Sequence, residues 1–481
     1  MLGVSELSLT TLLLAGTLAL LFPAGMTLWA GFTNQGSHRT PPSVYALAAV
    51  VLGVLGFFAT GFALQYGGSA GLYPALGELP GLQREWAPLT DALGRGWGLL
   101  GMEGFFLAVG DSAAAYGLFF FQAVVLTCSL AIPAAALAGQ VPPWLFTLYA
   151  IFFSLLLYPI LGNWAWGGGW LSQLGRSMDL GHGFVDFGGA GVVQMVGGCA
   201  ALAGALAMGR RRLPTAGAQA GEVRDADPAA PSTAAAGVLL SAVGWLAVLI
   251  GNTVVWDVSL PVVLVNGLVA MACGASVALG YMAFATGQAD SGMTARGVLG
   301  GLAAISAAAP FVSPPAAALV GAVAGLLACF GTHIMGRTLR LHDPLGAVST
   351  HGLGGLWGLV ALGLFSEGRS GAGWNAVGLR DYLGVASQGV TGLLPAAGFQ
   401  ADSQQITAQL VGAAVLAACV LLPSFTFLRI GRMVQDRQES TRQPRAEESS
   451  QPAAEPVTAL TAEVVSEDGA RADAEGEGIA R

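Results

Sequence analysis

Lysine is absent from this chain: all 20 basic residues are arginines. No lysine is available for Schiff-base chemistry or for a phosphate loop. Charge of either sign is scarce as well, at 10% of residues against about 25% in soluble domains. The five cysteines (Cys128, Cys199, Cys273, Cys329 and Cys419) all lie inside apolar runs without CxxC spacing. They exclude a metal knot and a disulfide framework, and read as buried thiols. The histidines do not cluster at ligand spacing, so no metal is expected. Nor is there a phosphate loop, a nucleophile triad or a dinucleotide fingerprint in a strand–turn–helix setting. The composition points away from an enzyme and from any cofactor. The net charge of −8 comes largely from the C-terminal tail, and no nucleic-acid partner is expected. A cleavable signal is not evident either, because the first basic residue is Arg39, well after the apolar run that starts at Leu7. That run reads as a retained transmembrane helix.

What is present is apolar and small. Hydrophobic residues make up 54% of the chain and glycines number 71, a composition for close helix packing in lipid. Runs of about 20 residues, long enough to span a bilayer, fall near 8–31, 43–66, 113–137, 143–163, 186–209, 233–254, 259–286, 296–311, 315–336, 346–366 and 405–430. The eighth is the shortest. With eleven spans and the N-terminus outside, one set of loops holds Arg39, Arg210, Arg211, Arg212, Arg224, Arg296, Arg337, Arg340, Arg429 and Arg432. The other set holds only Arg84, Arg95, Arg176, Arg369 and Arg380. Excess arginine marks the cytoplasmic side, so a multi-pass protein of the cell membrane with a cytoplasmic C-terminus is expected. Residues 67–112 and 367–404 then face outside. Residues 1–432 form the membrane domain, and 433–481 have the composition of a disordered acidic tail. Residues 214–232 form a similar linker between two halves.

Two segments nearly repeat. Asp186-Phe-Gly-Gly-Ala-Gly-Val-Val-Gln194 and Asp343-Pro-Leu-Gly-Ala-Val-Ser-Thr-His351 each place an Asp at the start of an apolar helix and a polar residue eight positions on. Eight residues span about 12 Å of helix and nearly restore the same face. Two such helices about 157 residues apart suggest repeats meeting at a midplane site. Polar groups inside spans are costly and mark function, which singles out His351. Gln194, able to donate and accept, reads equally as a pore residue or as a buried hydrogen bond between helices. Asp186 and Asp343 read first as caps on free helix N–H groups. Trp164 and Trp166 end the fourth span, as interfacial tryptophans or as a cation–π face. Asn252 ends the sixth on the same side.

These segments resemble the ammonium transporter / methylammonium permease / Rhesus family. Asp186 to Gly198 is similar to its fifth-helix motif, Asp343 to Gly358 to its tenth, and Trp166 to Gly169 to the turn after its fourth helix. Gly300 to Pro314 resembles the eighth-helix region. The likeness covers about 8–430. It implies an all-α membrane protein with an inverted 5+5 repeat (about 8–209 and 233–366), an extra helix at about 405–430, and a homotrimer with one hydrophobic pore per subunit. It implies transport of ammonium or ammonia past two stacked histidines at the pore centre. His351 matches the second, and Gln194 stands in place of the first. Phe121 matches a vestibule phenylalanine, Val125 and Val248 occupy the family's two phenylalanine gate positions, Trp166 matches the outer-site tryptophan, and Asn252 replaces a serine. The family's tail motif is not recognisable after Arg432, which counts against a PII-type regulator. Two other readings stay open: a non-conducting ammonium-binding sensor, and a channel for another small neutral solute such as carbon dioxide or methylamine.

Overall fold

The computed structural model describes residues 6–33, 40–73, 76, 79–90, 97–209 and 230–450. His38, Arg39, Arg95, Arg210, Arg211, Arg212, Arg224, residues 214–229 of the expected linker and the tail from 451 lie outside the described residues. Among the described residues, ten helices are long and apolar enough to cross a bilayer. They are α1 (Glu6–Phe32), α2 (Pro42–Tyr66), α3 (Ala113–Leu137), α4 (Pro143–Ala165), α5 (Ala190–Met208), α6 (Ala230–Trp256), α7 (Leu260–Thr286), α9 (Pro314–Thr338), α10 (Val348–Phe365) and α11 (Ser403–Ser450). The eighth expected span is the 15-residue helix α8 (Ser291–Ile305). It starts five residues earlier than the sequence implies, because Asp290 caps it by accepting from Met293 N at 2.9 Å. It ends earlier too, giving way to turns over 306–310 ahead of Pro310. At 1.5 Å per residue it covers about 22 Å, and its second half is buried in protein.

Prolines interrupt several spans, and the carbonyls they free are satisfied by side chains, as a lipid setting requires. Pro23 breaks α1 and frees Ala19 O, which accepts from Cys128 Sγ at 3.6 Å. Pro159 frees Leu155 O, which accepts from Thr60 Oγ1 at 2.8 Å. The central element is α3, buried along nearly its whole length from Phe121 onward. A helix that is apolar all round belongs in such an interior.

The two halves meet through like elements. The first helices of each half, α1 and α6, touch backbone to backbone: a Cβ on Gly25 would come within 2.2 Å of Gly237 O. The last helices, α5 and α10, cross in the same way. A Cβ on Gly198 would lie 2.3 Å from Gly352 N, and one on Gly355 would lie 2.2 Å from Ala190 O. This reciprocal contact brings the two Asp-led segments together.

The two long connecting segments, 67–112 and 367–404, each carry a short antiparallel hairpin that the sequence did not signal. In one, β1 (Glu85–Trp86) pairs with β2 (Leu100–Gly101). In the other, β3 (Asp381–Tyr382) pairs with β4 (Val385–Ala386). The membrane unit ends at Arg432. Beyond it the expected disordered tail is corrected in part: residues 433–450 continue as helix. Gln, Arg and Glu are good helix formers, and Gln435 Nε2 donates to Glu439 Oε1 one turn on, at 2.8 Å.

Candidate functional site

The site is built at the first turns of α5 and α10. Asp186 Oδ2 accepts from Gly191 N and Val192 N at 3.0 and 2.8 Å. Asp343 Oδ1 and Oδ2 accept from Ala347 N and Val348 N at 2.7 and 3.0 Å. Each carboxylate thus satisfies N–H groups that a helix start leaves free. Both first turns are wound wide, as π-helix over Ala190–Met195 and Val348–Gly352. Such turns recur at functional positions because they displace side chains from the regular helical face. Gln194 and His351 sit in these two turns and are joined directly: His351 Nδ1 lies 2.5 Å from Gln194 Oε1. An amide oxygen only accepts, so Nδ1 carries the ring proton. The other ring nitrogen, Nε2, is left as a bare acceptor, buried and without a protein partner.

The path to this pair can be followed along α6. Trp256 lines an outer vestibule. Trp245, eleven residues earlier, packs on Phe22 at 5.3 Å, and Phe22 meets the His351 ring edge-on at 6.2 Å and 80°. Eleven residues correspond to about 16 Å of depth. Asn252 and Val248 lie between them at one-turn steps, both buried. Asn252 spends its amide on Val248 O at 3.1 Å. From α3, Phe121 lies against Gly251, where a Cβ would meet its ring at 2.1 Å. Val125 follows one turn deeper and is fully buried. Phe121 and Val125 on α3 and Val248 on α6 are thus all fully buried apolar side chains.

The vestibule is a cavity of about 480 Å³ lined by Trp166, Arg176, Trp256, Trp374, Asn375 and Leu379, among others. Trp166 is fixed at both ends. Its indole donates to Asp186 O at 2.7 Å, and its carbonyl accepts from Tyr73 Oη at 2.5 Å. Trp256 and Trp374 stack at 4.5 Å and 22°. Asp186 therefore belongs to the vestibule end of the path. Asp343 belongs to the opposite end, since α10 runs from Asp343 toward the segment 371–376 that lines the vestibule.

Sequence reasoning missed Phe22, Ser306 and Tyr73. Ser306 Oγ accepts from Trp245 Nε1 at 2.8 Å, and its carbonyl accepts from Gly188 N at 2.9 Å, tying α6 to the turn before α5. Phe22 carries one signal, its place beside Pro23 at the break in α1. Tyr73 lies in a loop and carries none.

Ten apolar spans, a polar Gln194–His351 pair buried among them and an aromatic-lined cavity at one end of α6 fit a membrane channel or transporter. Residues 10–443 match the model of the Ammonium Transporter Family, and the chain belongs to that family. It is 30% identical over 370 residues to ammonium transporter Amt2 of Archaeoglobus fulgidus, covering 75% of this chain and 71% of the relative. It is 31% identical over 365 residues to putative ammonium transporter sll1017 of Synechocystis, covering 74% and 75%. In fold it matches the crystal structure of Candida albicans Mep2 with a TM-score of 0.68 at 21% identity, covering 89% of this chain and 84% of that one. It also matches a chain described as a sensor Amt protein, with a TM-score of 0.69 at 22% identity, covering 89% and 93%.

Proposed function

We propose that this protein moves ammonium across the cell membrane, the substrate crossing the pore centre as ammonia. The observation that carries this reading is the buried Nε2 of His351, without a hydrogen-bond partner among the described residues. We read the buried Phe121, Val125 and Val248 as a closed apolar passage above it. An ammonium ion reaching the vestibule meets the faces of Trp166 and the stacked pair Trp256–Trp374, and the nearby Asp186 carboxylate favours a cation there. Entering the passage as an ion would cost its hydration with nothing to replace it. Losing a proton to vestibule water removes that cost, and the neutral molecule then donates an N–H to His351 Nε2. Gln194 holds the imidazole in the tautomer that leaves Nε2 free. Its amide does not exchange protons near neutral pH, so the pair offers hydrogen bonds and no proton relay. Val125 and Val248 act as an aliphatic gate in this reading, with Phe121 and Asn252 at the vestibule floor.

The same fold serves a chain described as a sensor, so fold alone does not choose between readings. Solid-supported membrane electrophysiology with stopped-flow flux on proteoliposomes does. Ammonia flux without ammonium-evoked current, lost in His351→Ala, is expected; flux equal to empty liposomes sinks the transport reading. Gln194→His restores a second titratable ring and is expected to introduce current. We further infer a homotrimer with a pore in each subunit, on the strength of the family resemblance. Native mass spectrometry showing monomers alone counts against it.

A further inference from the structure

Arg296 lies on α8, partly buried, with its guanidinium bonded only to neutral acceptors. Nε donates to Leu345 O at 3.1 Å, Nη2 to Pro344 O at 2.7 Å and Nη1 to Thr332 Oγ1 at 3.2 Å. Thr332 Oγ1 is 3.0 Å from Ser349 Oγ, within the first turn of α10. The fit is close enough to demand a bare backbone: a Cβ on Gly346 would lie 2.7 Å from Arg296 Nε. Leu345 precedes His351 by six residues, the last of them in the wide first turn of α10, a separation on the order of 9 Å. Because α10 runs from here toward the vestibule, the guanidinium stands on the far side of His351, at the inner end of the path.

The two ends of the path are otherwise built alike, with an Asp capping a wide first turn in each. They differ in charge. The main influences on Asp186 are burial and four backbone N–H groups, and its Oδ1 has no hydrogen-bond partner. Burial and backbone N–H groups act on Asp343 as well, but it lies in addition in the field of Arg296, which also acts on Asp290, the cap of α8. Of the two, Asp343 is the stronger partner, since Arg296 Nη2 is bonded to the carbonyl of the next residue, Pro344. The carboxylate nearest the inner path is therefore the one that Arg296 offsets.

We propose that Arg296 sets charge selectivity at the inner end: by offsetting Asp343 it confines cation stabilisation to the vestibule, so that the solute leaves past His351 uncharged. The proton stays behind on water in the vestibule. The proposal rests on the ammonium reading above. A unit charge about 9 Å away at an effective dielectric of about 20 changes a cation's occupancy by roughly tenfold. That is enough to divide a cation path from a neutral one.

The test uses full-length protein in liposomes and reads two quantities, ammonium-evoked charge and ammonia flux, for the parent, Arg296→Gln, Arg296→Met and Arg296→Lys. Gln keeps a donor for the Leu345 and Pro344 carbonyls, Met keeps only bulk, and Lys keeps the charge. Ammonium-evoked charge per unit flux rising roughly tenfold above the parent's background in Gln and Met, with Lys close to the parent, is the expected result. A ratio unchanged in Gln with flux intact overturns the proposal. So does a ratio raised equally in Lys, which would assign the effect to lost hydrogen bonds. Adding Asp343→Asn to Arg296→Gln removes both charges and is expected to return the ratio to the parent's; a ratio that stays high overturns the proposal too. Absence of flux in the parent itself defeats the ammonium reading, and this inference with it.

Discussion

At the scale of single residues, the proposed pore centre rests on one hydrogen bond. The pairing of Gln194 with His351 was legible in the sequence because both follow an Asp by eight positions in matching contexts. Phe22 was barely legible: its one signal is the neighbouring Pro23 at the break in α1, and its contact with the His351 ring is what reveals its place. The pair makes a direct prediction. Gln194→Leu fills the space but leaves the Nδ1 proton of His351 without an acceptor in a dry site. An unmade buried hydrogen bond costs about 1–3 kcal/mol, and thermal unfolding in detergent should show a loss of that order. Gln194→Glu restores an acceptor and should recover part of it. Equal stability of the Leu variant and the parent would mean that water already serves His351, and the tautomer argument would fall.

At the scale of elements, the crossing of α5 and α10 relies on backbone meeting backbone. Gly198 and Gly355 each face main-chain atoms, which cannot rotate aside as side chains do. Gly198→Val is therefore expected to push the two first turns apart, destabilising by more than the about 1–3 kcal/mol of ordinary overpacking. It should also break the Gln194–His351 bond, read as lost flux and a broadened or vanished unfolding transition. The spans themselves were legible from hydropathy and length. The hairpins were not, because two-residue strands are held by main-chain bonds that leave no alternation to read. Two titratable groups of opposite kind lie near them: half-buried Glu85 in the first hairpin and buried His182 in the link between α4 and α5. Burial pushes Glu85 up to about 7, against a weak hydrogen bond from Asn163. Burial pushes His182 down to about 4, beneath the Tyr382 ring at 4.4 Å. Folded Glu85 binds its proton more tightly than the unfolded chain does, so its contribution falls as pH rises from about 4.5 to about 7. Folded His182 binds its proton less tightly, so its contribution rises as pH rises from about 4 to about 6.5. The two oppose each other over nearly the same window. Glu85→Gln should leave stability climbing with pH across that window, and His182→Gln should leave it declining. Melting temperatures between pH 4 and 7.5 check both, and parallel profiles for the two variants would refute the assignment.

At the scale of the whole molecule, direction across the membrane follows from where the arginines lie. The structure adds constraints that are independent of those charges. The vestibule is formed by the turn after α4, the end of α6 and the segment after α10, so these three must share one side of the bilayer. The link between α7 and α8, from Gly287 to Asp290, must lie on the other side, because one span separates it from the end of α6. The proposal that the vestibule faces outside rests on the arginine asymmetry. Two positions report this cleanly. Leu379 is 76% exposed at the vestibule, and Gln288 is exposed in the α7–α8 link. Cys128 and Cys329 are buried, and the other three native thiols, Cys199, Cys273 and Cys419, lie within spans, so background reaction with a charged thiol reagent should be low. In intact cells Leu379→Cys should react with a membrane-impermeant maleimide, and Gln288→Cys only after permeabilisation. The reverse pattern would invert the protein in the membrane and place Arg296 on the entry side for external ammonium. Labelling of both sites in intact cells would break the rule that one span separates them, and with it the count of helices between the vestibule and α8.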